Sequence, residues 1–261
     1  MSSFTVSSAR DAALGVDIRV GGSGEAGLDI WFLPGFGKSQ RCFRQAFKHP
    51  LADAFRIVTF DFPGIGASPP RADGTTVESC AHLLCELIEK ISALRRVVLV
   101  AHSMGGIVAT QAASMLRQLP VLLISVEGNL TPADAYYSGQ AMRYPDCNAF
   151  YTAFLQDITG LAAQGKVPDG YVSCLQLADP NTLWTLGRSV VRHTEPGLQF
   201  SALPCATTYY WDVTSVPAET RAYLARSTLS QRRLDGAGHW PMLTAPGSFY
   251  SALQADILAA A

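Results

Sequence analysis

Val97 to Gly106, VVLVAHSMGG, is the segment with the most chemical content. An apolar run ends in His102-Ser103-Met104, with Ala101 two residues before the serine and Gly105 two after. This spacing fits a nucleophile elbow, a sharp strand-to-helix turn whose flanking side chains must be small. Ala101 fills the slot more often held by glycine without adding bulk. The turn would lift the Ser103 hydroxyl clear of a sheet. It would also leave the Met104 N–H at a helix N-terminus, free to donate to a developing oxyanion. A serine that merely caps a helix requires no apolar strand in front of it.

A nucleophilic hydroxyl needs a base. The histidines are His49, His82, His102, His193 and His239. His102 adjoins the serine, and neighbours on an elbow diverge. His82 falls in a helical pattern and His49 precedes Pro50. His239 sits in DGAGHWP, after the last strand pattern, where a Gly-Ala-Gly turn presents the imidazole on a tight loop. It is expected to be the general base, with His193 the only competitor. LPGFG, Leu33 to Gly37, surrounds Phe36 with glycines and lets a backbone N–H approach a ligand closely. DFPGIGAS, Asp61 to Ser68, reads as a glycine-rich scaffolding turn at a pocket rim. It lacks the third glycine of a dinucleotide fingerprint.

These groups need a frame, and the hydropathy pattern supplies one. Strands are expected at Gly15–Val20, Leu28–Leu33, Arg56–Phe60, Val97–Ala101, Val121–Val126, Cys205–Trp211 and Leu229–Leu234. Helices are expected at Gln40–Phe55, Thr75–Ala93, Gly105–Leu119, Pro217–Arg226 and Ser248–Leu258. The alternation implies a mostly parallel sheet with right-handed crossovers. It breaks between Thr131 and Leu203, where aromatic residues recur at helical spacing among four prolines. So long a stretch without strands reads better as an inserted helical subdomain than as a loop. The expected organisation is a core of 1–130 and 204–261 with a helical cap over 131–203.

Composition narrows the function classes. The 261 residues are 48% hydrophobic and 16% charged, below the ~25% charged content of an average soluble domain, which excludes a disordered polyelectrolyte. Lys+Arg 20 against Asp+Glu 21 gives a charge of −1, so no basic excess exists to neutralise nucleic-acid phosphates. No run approaches the ~20 apolar residues of a membrane span. Met1 to Val6 shows no leader pattern, and a cytoplasmic location is expected. The six cysteines show no CxxC and no zinc spacing. They read as buried reduced thiols, with Cys80 and Cys85 on different faces of one helix.

LPGFG, DFPGIGAS, VAHSMGG and GAGHWP, in that order over nearly the whole chain, resemble the α/β-hydrolase-fold superfamily, in its compact esterase, epoxide-hydrolase and haloperoxidase-like branch. The resemblance implies an eight-stranded, mostly parallel sheet flanked by helices, with a helical cap insertion and a Ser–acid–His triad. It places the oxyanion hole at the Phe36 and Met104 amides. Gly35, His102 and Trp240 are expected to line the substrate pocket. Two positions are open to the acid. Glu127 ends the strand after the elbow helix, and Asp212 follows the strand YYW; Glu127 is preferred, and Asp61 is a distant third. Pro34 departs from the histidine that many members carry before the glycine, which alters hydrogen bonding behind the hole.

The expected activity is a serine hydrolase cleaving a carboxylic ester or thioester with a hydrophobic group, through an acyl-enzyme on Ser103. Carbon–carbon bond hydrolysis, lyase-type chemistry and a slow-turnover small-molecule receptor are the alternatives on the same fold. Serine at the elbow disfavours the carboxylate-nucleophile chemistry of haloalkane dehalogenases and epoxide hydrolases. No cofactor or metal is expected. The partner is a small-molecule substrate, with no nucleic acid and no membrane insertion, and the chain is expected as a monomer or homodimer.

Overall fold

The computed structural model describes residues 6–11 and 13–261. The reading of Met1 to Val6 thus lies outside the described residues except at Val6. Eight strands form one sheet: β1 (Ser7–Asp11), β2 (Val16–Gly21), β3 (Leu28–Leu33), β4 (Arg56–Phe60), β5 (Arg96–His102), β6 (Leu122–Val126), β7 (Ala206–Trp211) and β8 (Ser230–Arg233). Their order is β1-β2-β4-β3-β5-β6-β7-β8, antiparallel at β1/β2 and β2/β4 and parallel from β4 onward. The α-helices are α1 (Leu51–Ala54), α2 (Val77–Ile91), α3 (Gly105–Met115), α4 (Cys147–Ala163), α5 (Asp169–Gln176), α6 (Pro180–Val190), α7 (Pro196–Ser201), α8 (Ala218–Arg226), α9 (Pro241–Thr244) and α10 (Pro246–Ala260). This is the α/β-hydrolase sheet that the motifs imply.

Burial explains the strand patterns. Every residue of β3 and of β6 is buried, as is β5 after Arg96. A parallel strand covered on both faces reads as one apolar run, whereas a strand with a solvated face alternates. Strand β1, SSARD, was not expected. Four of its five residues are exposed, so it carries no hydrophobic signal and is held by its ladder to β2. The Gln40–Phe55 helix resolves into two 3₁₀ turns, Gln40–Phe43 and Ala46–Lys48, followed by α1. Pro50 forces His49 into extended backbone, with ψ 151°, and breaks the four-residue rhythm there. In α2 the expected face is buried at Cys80, Leu83, Leu84, Leu87 and Ile88, and Thr76 with Ser79 closes a capping box at its start.

Register decides where the chemistry falls. Leu33 pairs with Ala101, His102 with Val126, and Val126 with Tyr210, so β3, β5, β6 and β7 end level with one another. The loops that follow them leave from one sheet edge, the edge where open α/β sheets bind ligands. The opposite end of β3 is fixed by the fully buried Asp29. Its carboxylate accepts from Arg56, from Arg95 Nε at 2.5 Å and from Ser92 Oγ at 2.5 Å.

Between β6 and β7 the chain is helical throughout, with 3₁₀ turns at Pro132–Ala135 and Ser138–Arg143 followed by α4 to α7. Asp146 and Asp179 cap α4 and α6 by accepting backbone N–H bonds. The segment is tied to the core at several points. Asp179 N donates to Gly64 O, and Val77 N to Ser189 Oγ, each within 2.9 Å. All six cysteines are free; Cys42 and Cys80 are buried, but the other four are half-buried, which corrects the expectation of uniformly buried thiols. Among the described residues, no helix is long and apolar enough to cross a membrane.

Gly105 shows how tightly α3 is set against the end of β3. A Cβ there would lie 2.7 Å from Pro34 O and 3.1 Å from Leu33 O, both backbone atoms that cannot swing aside. Helix propensity alone favours alanine over glycine by about 1 kcal/mol, whereas overpacking costs roughly 1–3 kcal/mol. The clash should therefore prevail: Gly105→Ala is expected to lower the urea unfolding midpoint. A raised midpoint would show that α3 has slack against β3.

Candidate active site

Ser103 and Glu127 are, among the described residues, the two non-glycine residues with left-handed backbone, at φ 53° and φ 50°. They follow β5 and β6 directly. The Ser103 N–H donates to Val126 O at 2.9 Å, and the Glu127 N–H to Tyr210 O at 2.8 Å. Each residue thus takes one more rung from the neighbouring strand while its backbone turns away from the sheet. Such conformations cost about 1–3 kcal/mol each and persist only where the surroundings over-determine them. Here small neighbours make room: a Cβ on Gly106 would meet Ser125 Oγ at 2.9 Å, and one on Gly128 would meet it at 2.1 Å.

His239 reaches the same place from the loop after β8. Its Nδ1 is 3.3 Å from Glu127 Oε2 and 3.1 Å from the Tyr136 hydroxyl, which puts Nε2 on the opposite edge of the ring. His239 and Ser103 line one narrow cleft with Phe36, Lys38, His102, Tyr137, Tyr171 and Trp240. The hydrogen bond between Ser103 Oγ and the imidazole is not formed in this arrangement, although both side chains face the cleft. Catalytic bonds of this kind are often long before substrate enters.

The other expected residues sort clearly. Asp212 does not touch the ring. Its Oδ2 accepts from Gly238 N at 2.8 Å and its Oδ1 from Thr214 N at 2.8 Å, so it holds the turn that presents His239. Its own N–H donates to Glu127 Oε1 at 2.6 Å. Asp61 accepts from Gln40 N and Ala67 N, as a scaffolding turn should. His193 lies elsewhere, between Glu78 and Gln111. His102 Nε2 donates to His239 O at 2.8 Å, while its Nδ1 is buried without a partner. Gly35 does not line the cleft. It packs from behind, where a Cβ would come within 2.7 Å of His102 Nδ1 and 2.9 Å of Ser103 Cβ.

The Phe36 and Met104 amides donate to no acceptor among the described residues, though both residues are buried. Unpaired buried N–H groups are rare, so two of them, one in the loop after β3 and one at the start of α3, are an electrostatic feature in their own right. Tyr171 Oη donates to Phe36 O at 3.0 Å, and the Phe36 ring meets Phe154 edge-on at 5.7 Å. Both contacts come from the helical segment and fix the loop that carries the Phe36 amide.

Burial governs the charges. It pushes the Glu127 carboxyl up to about 8, with the nearby Asp212 charge acting in the same direction. Burial also holds His239 down, to about 3, with a smaller contribution from the Lys38 ammonium. The imidazole is therefore neutral at rest. Burial works against the Asp212 carboxylate too, but the Gly238 and Thr214 amides outweigh it and keep that group below its ordinary value. Three residues in or beside the cleft carried no sequence signal of their own. Tyr136 and Tyr171 were two aromatics among many in the helical segment. Lys38 directly follows LPGFG, and that position was the available clue.

Comparison with known proteins bears on the fold and the family. The chain is 32% identical over 136 residues to the dihydrolipoyllysine-residue acetyltransferase component of the acetoin cleaving system of Cupriavidus necator, a match covering 49% of this chain and 36% of that protein. A second curated relative, from Mycoplasma pneumoniae, is matched over 35% of its length, so the chain spans about a third of the curated relatives it matches. A thermophilic esterase from Thermogutta terrifontis superposes with a TM-score of 0.73 at 19% identity, covering 98% of this chain and 99% of that one. MenH from S. aureus superposes with a TM-score of 0.76 at 15% identity, covering 100% and 99%. At such identities these likenesses speak for the fold alone. The profile of the alpha/beta hydrolase family, however, matches residues 32–252, most of the sequence and every motif of the cleft, and the chain belongs to that family.

Proposed function

We propose that the chain is a serine hydrolase acting on carboxylic esters or thioesters. One observation carries the reading: the two strained non-glycine residues end adjacent strands, and the second places its carboxylate on the imidazole that shares a cleft with the first. Strain persists at functional sites, and nothing in the packing alone requires a serine and a glutamate at those two turns.

The chemistry follows from these positions. Ser103 Oγ adds to the substrate carbonyl while His239 Nε2 takes its proton. Negative charge then develops on the carbonyl oxygen, which the Phe36 and Met104 N–H groups receive. Glu127 accepts from Nδ1–H, fixes the tautomer that leaves Nε2 free, and stabilises the imidazolium. Collapse expels the alcohol or thiol with the proton from His239 and leaves an acyl group on Ser103. His239 then takes a proton from water, which adds to the acyl carbonyl and restores the serine. Asp212 acts at one remove, by holding Gly238. The helical segment 131–203 is read as the cap over this cleft, because Tyr137 and Tyr171 line it from that side and Tyr136 reaches His239 Nδ1 beside it. Their rings, with Trp240, favour an apolar group next to the reacting carbonyl.

Two experiments test this. Ser103→Ala should abolish release of nitrophenol from 4-nitrophenyl butyrate, with a melting temperature near that of the unmodified chain. Retained turnover would move the nucleophile elsewhere. The acid is tested by pH. A protonated Glu127 cannot accept from Nδ1–H, so kcat should rise with pH and level off above about 8, the value to which burial pushes Glu127. Glu127→Gln should remove that rise and cut kcat by roughly 10³–10⁴. Asp212→Asn should leave the rise in place with a smaller loss, and the reverse ranking would make Asp212 the acid.

A further inference from the structure

Lys38 has no task in the mechanism above, yet its position is unusual. It is 2% exposed, in the loop between β3 and the first 3₁₀ turn. Its Nζ lies 4.8 Å from the centre of the Tyr171 ring and 5.5 Å from that of Trp240. Among the described residues, no carboxylate comes within 4.0 Å of it and no hydrogen bond reaches it. The Cys42 thiol nearby is pushed up by burial and stays neutral, so it supplies no counter-charge. The attraction of two aromatic faces is far weaker than the penalty of removing an ammonium from water. A buried cation left this way is incomplete without an anion.

The surroundings say where that anion would come from. Lys38 lines the cleft of Ser103 and His239, and it also lines a larger cavity of about 510 Å³. That cavity carries the exposed Arg41 and Arg44 on one side and Cys174 and Leu177 of the helical segment on the other. Lys38 thus stands at the join between the reacting atoms and a basic outer chamber large enough for a small-molecule group. Its aromatic neighbours cover much of the ammonium, and a charge–charge contact in such partly desolvated surroundings is stronger than in open water.

We propose that Lys38 is the specificity-determining residue for a substrate that carries a carboxylate, tethered a few bonds from the ester or thioester carbonyl and seated between the cleft and the outer cavity. The inference rests on the serine-hydrolase reading and narrows it to acidic esters. Lys38 binds the carboxylate and takes no part in bond making. Arg41 and Arg44 draw the anion toward the mouth.

The test uses two matched pairs of esters. In one the acyl side carries the charge, mono-(4-nitrophenyl) glutarate against its methyl ester, with the uncatalysed rate subtracted. In the other the leaving group carries it, 4-(butyryloxy)benzoate against its methyl ester. In at least one pair the charged member should have the higher kcat/KM, by roughly 10- to 100-fold. Lys38→Met should erase that ratio, mainly through KM, and Lys38→Arg should restore part of it. No preference in either pair, or an equal loss for both members in Lys38→Met, would overturn the proposal. If Lys38→Met does not fold, the ratio in the unaltered chain and its loss at high salt decide the matter. If no ester is turned over, the serine-hydrolase reading fails first. The anion site is then judged by melting temperature, which glutarate should raise and glutaramide should not; equal or absent shifts would remove the site.

Discussion

The arrangement depends on a backbone constraint more than on any side chain. At the ends of β5 and β6 the chain must turn sharply while still donating the last rung of the sheet, and it does so by entering left-handed backbone at Ser103 and Glu127. The two hydrogen bonds, from Ser103 N to Val126 O and from Glu127 N to Tyr210 O, run across three adjacent strands and couple the turns to each other. A shift of β6 against both of its neighbours would remove both. Gly105, Gly106 and Gly128 serve the same end, since a methyl at any of them meets an atom within 3.0 Å. The fold stabilises the strain through the buried, fully paired strands β3, β5 and β6. The site inherits a rigid placement of the hydroxyl and the carboxylate.

Charge in the cleft follows from dryness. Glu127 and His102 are buried and His239 nearly so, and burial moves each toward its neutral form. On the serine-hydrolase reading, groups that rest neutral and separate charge only in the transition state let a low-dielectric site discriminate between the two. The same dryness gives the unpaired Phe36 and Met104 amides their strength. Those amides are held by contacts from two directions, the packing of α3 on β3 below and the Tyr171 bond to Phe36 O above.

Some of this is written locally in the sequence and some is not. Ser103 and His239 are legible because each depends on a short turn with its own glycines, and turn chemistry acts within a few residues. The parallel strands are legible because burial on both faces makes them uniformly apolar. Strand β1 is invisible because its side chains are mostly exposed and it is held by its ladder to β2 and by polar contacts of Arg10 and Asp11, none of which leaves a hydrophobic pattern. Pattern favours Glu127 over Asp212 without excluding either, since both follow strands at the same sheet edge. Their roles depend on the β6/β7 register, which seats Asp212 N on one oxygen of Glu127 and leaves the other oxygen for the ring. Lys38 is a product of tertiary packing: only when the helical segment brings Tyr171 over the loop does an ordinary lysine become a buried cation.

The central claim is that Ser103 attacks while two backbone amides receive the oxyanion and His239 carries the proton. A crystal structure of the chain after reaction with an alkyl fluorophosphonate addresses it directly. The account predicts phosphorus bonded to Ser103 Oγ, one phosphonyl oxygen within about 2.7–3.1 Å of both the Phe36 and Met104 nitrogens, and His239 Nε2 turned toward the adduct. Phosphorus on another residue, or the phosphonyl oxygen directed away from both amides, would contradict it.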